Sequence, residues 1–191
     1  MMIGTIINRI RTELETVFDE TASWFDIDIR LLNYDPKNGG WNIFKILEHI
    51  SLTNHFLLIL IKKGTMKAKE RSGKENYAGL LENYDINWNK LDEIGKHGSF
   101  YWNRPEHMEP TGKAGLLSIK NKLQDQKIEI LGYLEQLKNG QGVLYKTTMS
   151  VNDLGKIDVY HYILFLAWHT KRHLAQMEKV KTEFEQSEIK N

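Results

Sequence analysis

The sequence predicts an all-α protein, a four-helix bundle with an additional short helix and long connecting loops. Apolar residues recur at three- and four-residue spacing through four long stretches, as in helices that bury one face. Only three prolines occur in 191 residues, so helices can run far without interruption. No stretch alternates apolar and polar residues as a half-buried strand does, and no internal repeat is visible. The length suits one domain, residues 1–191. Such a domain buries roughly 70% of its unfolded surface and needs no disulfide or metal to stay folded.

The first helix is expected over residues 3–24, where Ile3, Ile6, Ile7, Ile10, Leu14, Val17 and Phe18 form one stripe and Arg9, Arg11, Glu13, Glu15 and Glu20 lie mainly off it. A loop then ends in the turn-rich Asp35-Pro36-Lys37-Asn38-Gly39-Gly40. Asn42 is placed to cap the second helix, because its side-chain oxygen can accept from an orphan backbone N–H. Trp41 and Ile46 are spaced for a hydrophobic staple, while Lys45 stands where a full capping box has Glu. The stripe Phe44, Leu47, Ile50, Asn54, Leu57, Ile61 carries this helix to Gly64. The basic stretch 62–74 reads as a solvated loop. Tyr77, Leu80, Leu81, Tyr84, Trp88 and Leu91 suggest a shorter helix ending near Gly95. Residues 100–110, with two prolines and a run of aromatics, read as an irregular segment that packs over something.

Leu116, Ile119, Leu123, Ile130, Leu134 and Leu137 predict a helix over 115–138, stopped by Asn139-Gly140. A connection comes next, with short extended structure over 143–149. The last helix is expected over 158–184, capped by Asp158, with Ile163, Leu166, Ala167, Thr170, Leu174, Met177 and Val180 facing the core.

Charge and composition exclude several classes. The 26 basic and 25 acidic residues leave a net charge of +1, which suggests no polyanionic partner. A nucleic-acid contact through 62–74 would want interleaved aromatics, which that stretch lacks. No cysteine is present, so there is no disulfide, thiolate ligand or cysteine nucleophile, consistent with a reducing compartment. The N-terminal stretch does not read as a signal peptide, and the longest strongly apolar run, 56–61, is too short to span a bilayer. A cytoplasmic protein with no membrane partner is expected.

The chemistry concentrates in histidines. His169 and His173 lie four residues apart on one helix face, about 6 Å apart along the axis. His49 lies in the second helix. All three border the core face of a long helix, and bundle interiors are where helical proteins build metal sites. Spacing alone leaves several readings open: a three-nitrogen site with open coordination positions, two polar residues at the bundle edge, or one core histidine bonded to a carbonyl. His55 lies about 120° around the helix from His49, and His161 about 80° around from His169, at about 100° per residue. His97 and His107 fall in loops. There is no Glu-x-x-His, no His-Glu-x-x-His, no Gly-x-Ser-x-Gly and no P-loop.

Gly40-Trp41-Asn42-Ile43-Phe44-Lys45-Ile46-Leu47-Glu48-His49-Ile50 resembles the Trp-led, His-containing second helix of the DinB-like superfamily, which includes YfiT-type metal-dependent hydrolases and thiol-dependent transferases. Trp168-His169-Thr170-Lys171-Arg172-His173-Leu174-Ala175-Gln176 is similar to its last helix: His, three residues, His, then Gln three further on. The segment 105–110 resembles the proline-flanked loop before the family's third helix. The resemblance spans roughly residues 38–180, is specific in the two quoted blocks, and carries nothing over for 64–100. It implies a DinB/YfiT-type bundle with one divalent ion, nickel or zinc, held by His49, His169 and His173, and it implies no DNA binding.

Two reactions fit that implication: hydrolysis by an activated water, or transfer to a low-molecular-weight thiol such as bacillithiol, mycothiol or glutathione. Transfer is preferred, and with no cysteine in the chain the thiol must come from outside. Glu106, His107 and His161 are candidates for a general base, with none singled out. The partner expected is a small-molecule substrate, and a homodimer is compatible with such bundle faces. The rival from another class is a non-catalytic helical bundle that binds a small ligand or partner protein.

Overall fold

A computed structural model describes residues 2–86, 88–100 and 105–189. Four long helices build the bundle: α1 (Ile3–Ser23), α3 (Ile43–Ser72), α6 (Leu116–Gln136) and α7 (Val159–Glu188). Each packs against two others, in the ring order α1, α7, α3, α6. Three short helices join them: α2 (Ile29–Leu32), α4 (Ala78–Glu82) and α5 (Trp88–Gly95), the last lying against α7. The all-α fold is as the periodicity predicts, because each long stripe is buried. Ile6, Ile10, Leu14, Ile46, Leu47, Ile50, Ile130, Leu134, Ile163 and Leu166 are all fully inaccessible.

The two predicted caps form. Asn42 Oδ1 accepts from the Lys45 N–H (3.0 Å) while its Nδ2 donates to Asp35 (2.9 Å). Asp158 accepts from the His161 N–H at the start of α7 (3.1 Å). Such caps contribute about 1 kcal/mol each.

Of the stretch 62–74, residues 62–72 are corrected from loop to helix, since α3 continues through Gly64 to Ser72 and only 73–74 form a turn. Ile61, Gly64, Thr65 and Ala68 are all buried at i, i+3, i+4, i+7 spacing, and the lysines form the outer face of the same turns. Glu70 pairs with Lys67 (3.2 Å) and Lys74 (3.0 Å) along that face. Small inward residues hid the periodicity. A Cβ at Gly64 would stand 3.0 Å from Val159 Cγ2 and 3.5 Å from Tyr145 Cδ1, so glycine lets α3 approach the start of α7. Replacing Gly64 with Leu is therefore expected to lower stability by about 1–3 kcal/mol through overpacking, read as a lower urea midpoint. Gly64→Ala should change it little, since the helix propensity gained offsets the tight contact.

The expected single helix after 77 is two, α4 and α5, and α2 adds another turn near residue 30. The connection before α7 holds an antiparallel hairpin, β1 (Lys146–Met149) paired with β2 (Gly155–Asp158), Thr147 opposite Ile157. Of the extended structure expected over 143–149, β1 forms over 146–149, while Gln141–Leu144 is a short 3-10 turn; β2 is not marked by periodicity because it is four residues long and buries only its last two side chains. Helix α3 is long and apolar enough by composition to cross a membrane, but 61% of its most apolar stretch is buried inside the bundle.

Candidate metal centre

The ring order of the bundle places α3 beside α7, and this brings His49 to His169 and His173. All three rings are buried, at 2%, 2% and 7% exposure. Their ligand nitrogens lie within 4.8 Å of one another, the one such group of three histidine or acidic side chains among the described residues. Ring centroids are 5.3 Å (His49–His169), 4.7 Å (His49–His173) and 4.6 Å (His169–His173) apart.

The hydrogen bonds at the outer edges of two rings decide which nitrogens face inward. His49 Nδ1 lies 2.7 Å from the Met108 carbonyl oxygen, which can only accept, so Nδ1 carries the proton and Nε2 keeps its lone pair. His173 Nδ1 donates to Gln176 Oε1 at 2.9 Å, leaving its Nε2 in the same condition. The Thr53 hydroxyl lies 3.5 Å from His49 Nε2. Metal-binding histidines commonly give their second N–H to a carbonyl or carboxylate in this way.

The His169 and His173 Nε2 atoms approach to 3.1 Å, a contact that a shared proton or a cation satisfies. Two imidazole nitrogens each about 2.0–2.1 Å from one zinc ion would stand roughly 3.0–3.4 Å apart. The donor set therefore fits a divalent ion of borderline softness. The Trp41 indole packs on His49 (4.7 Å) and stacks on His173 (6.5 Å), walling one side of the cluster. Trp41, whose spacing suggests a staple, thus has a place at the histidine cluster.

Electrostatics favours neutral rings. Burial, then the His173 and His49 rings and the Arg172 guanidinium, push His169 well below the usual imidazole range. Burial and His49 do the same to His173, with Arg172 and His97 adding to it against the opposing bond to Gln176. Arg172, itself buried, donates to the Lys96 carbonyl and to Ser99 Oγ (3.3 Å), tying the end of α5 to α7 beside the site.

These shifts set the pH dependence of the metal-free protein. Below about pH 6.5 the unfolded chain takes up protons at these histidines while the folded chain does not, so stability falls with pH. Above that value both states are neutral and the contribution is complete. The expected slope is about 1.4 kcal/mol per pH unit for each of His169 and His173. Urea midpoints of metal-free protein at pH 7.5, 6.5 and 5.5 measure it, and equal midpoints would contradict the buried neutral pair.

The remaining histidines stand apart from the cluster. His161 Nδ1 donates to Asp158 at 2.8 Å, beside the α7 cap. His107 is exposed, its ring edge-on to Phe56 at 4.3 Å, and Glu106 beside it is also exposed. His97 accepts from Lys179 (3.2 Å), and His55 is exposed. None of the candidate general bases, Glu106, His107 or His161, belongs to the three-histidine group.

Of the segment 100–110, the described part from residue 105 onward packs over α3 at His49. Its Glu106–Met108 turn delivers the carbonyl to His49; residues 101–104 lie outside the described residues. Sequence reasoning misses Glu48, whose buried carboxylate accepts from Thr111 Oγ1 (2.8 Å) and the Gly112 N–H (2.7 Å). The available signal is a charged residue inside the apolar stretch 46–50.

A model of the DinB superfamily matches residues 13–177. No curated protein and no solved structure matches the chain.

Proposed function

The chain belongs to the DinB superfamily, and from that premise we propose that it is a metal-dependent enzyme in which His49, His169 and His173 hold one divalent ion, nickel or zinc. The observation that carries this reading is three buried imidazoles from two helices, with ligand nitrogens within 4.8 Å and the outer nitrogens of His49 and His173 engaged by Met108 and Gln176. When bound, such an ion lowers the pKa of a coordinated water or thiol and polarises a carbonyl. That chemistry suits hydrolysis or transfer to an external low-molecular-weight thiol, and transfer is the preferred of the two.

The chain's own residues supply the conditions. Burial keeps His169 and His173 uncharged, so each presents a lone pair at neutral pH. The Met108 carbonyl and Gln176 amide hold protons on the far side of their rings. Trp41 covers His49 and His173 and limits water there. The chain has no cysteine, so a thiol enters as a substrate.

Metal content by mass spectrometry, on protein purified without a nickel column, tests the proposal. About one divalent ion per chain is expected. Protein that stays metal-free after incubation with nickel or zinc would count against the enzyme reading and for a non-catalytic bundle.

A further inference from the structure

The residue before His49 has a place in the same site. Taking His49 as a ligand, we propose that Glu48 is a positioning residue: it clamps the strap 105–112 to α3 and so holds the Met108 carbonyl where it dictates the His49 tautomer. Glu48 and His49 are consecutive on α3 and grip the strap at two points. His49 Nδ1 donates to the Met108 oxygen at 2.7 Å, while the Glu48 carboxylate takes the Thr111 hydroxyl at 2.8 Å and the Gly112 N–H at 2.7 Å. Only Glu109 and Pro110 separate the two grips.

A carboxylate at 5% exposure is costly unless donors surround it, and here the strap provides them. The strap is shaped to do so. Gly112 has φ +70°, and a Cβ there would lie 3.2 Å from Lys45 Cε, so glycine brings its N–H onto Glu48. With the strap pinned, the Met108 oxygen can only accept, and the His49 proton is confined to Nδ1. Without the clamp, the carbonyl moves off and its hold on the Nδ1 proton is lost, which opens the way to protonation at Nε2, the nitrogen proposed to face the ion. Which ring nitrogen carries the proton is set by the hydrogen bond at the other.

The test reads the tautomer directly in metal-free protein, by long-range 15N–13C correlation of the histidine rings, and the nickel and zinc affinities separately, by chelator competition. Wild type is expected to show the His49 proton on Nδ1. Glu48→Ala should move it toward Nε2 and weaken metal binding by roughly 10–100-fold, the size of effect typical for residues that orient ligands. Glu48→Gln keeps one acceptor and should fall between the two. Thr111→Ala, which leaves α3 untouched, should shift the tautomer in the same direction if Glu48→Ala fails to fold. An Nε2–H tautomer in wild type, or an unchanged tautomer and affinity in the folded variants, would overturn the proposal. Wild-type protein that binds no divalent ion would overturn the metal reading instead, while the metal-free tautomer still decides the clamp.

Discussion

Replacing His169 with alanine is expected to reduce affinity for nickel or zinc by more than 100-fold while leaving the bundle folded. Structural zinc sites with four ligands bind with apparent free energies of about 10–16 kcal/mol, or about 3 kcal/mol per ligand. Losing one of three imidazoles at a buried site should cost at least that. Folding should survive, because the ring is one polar group in a core dominated by aliphatic side chains from four helices. Metal-free His169→Ala should also show a shallower loss of stability below about pH 6.5, since one of the two neutral-held histidines is gone. Competition titration with a chromophoric chelator and urea melts at two pH values measure both effects. An unchanged affinity would remove His169 from the ligand set and, with it, the proposed site.

The second large effect is thermal. An ion that binds the folded chain and not the unfolded one stabilises it by about 2.7 kcal/mol at 100-fold excess over its dissociation constant and about 4.1 kcal/mol at 1,000-fold. For a chain of this size each 1 kcal/mol moves the Tm by about 2–4 °C, so stripping the metal with a chelator should lower the Tm by roughly 5–16 °C. The His169→Ala protein should not respond. A wild-type Tm indifferent to chelator would favour the non-catalytic reading, in which the rings only fill core space.

Those expectations depend on features that differ in how far the sequence exposes them. Residues i and i+4 face the same way on any helix, so His169 and His173 are legible as a pair before any packing is known. Gln176, one turn further, is legible as a neighbour on that edge but not as a partner; the structure turns its amide toward His173 Nδ1. The spacing of Trp41 suggests a staple, and its indole also walls the cluster. The stretch 62–74 resembles a loop because charge dominates its composition, while its inward positions are Gly64, Thr65 and Ala68, residues that carry little hydrophobic signal. Glu48 is hidden for the converse reason: a buried charge looks like an exposed one until its donors, Thr111 and Gly112, are placed around it.

Local rules alone dictate that four long helices form, though not that α3 runs on past Gly64, and they dictate the caps at Asn42 and Asp158 and the shared face of His169 and His173. All of these depend on residues within about a turn of one another, where backbone geometry leaves little choice. It takes the packed bundle to join His49 to that pair and to bring the Met108 carbonyl, 59 residues away along the chain, to its outer nitrogen. Those meetings depend on which helices become neighbours and how closely they pack, and burial across the whole bundle settles that where local spacing is silent.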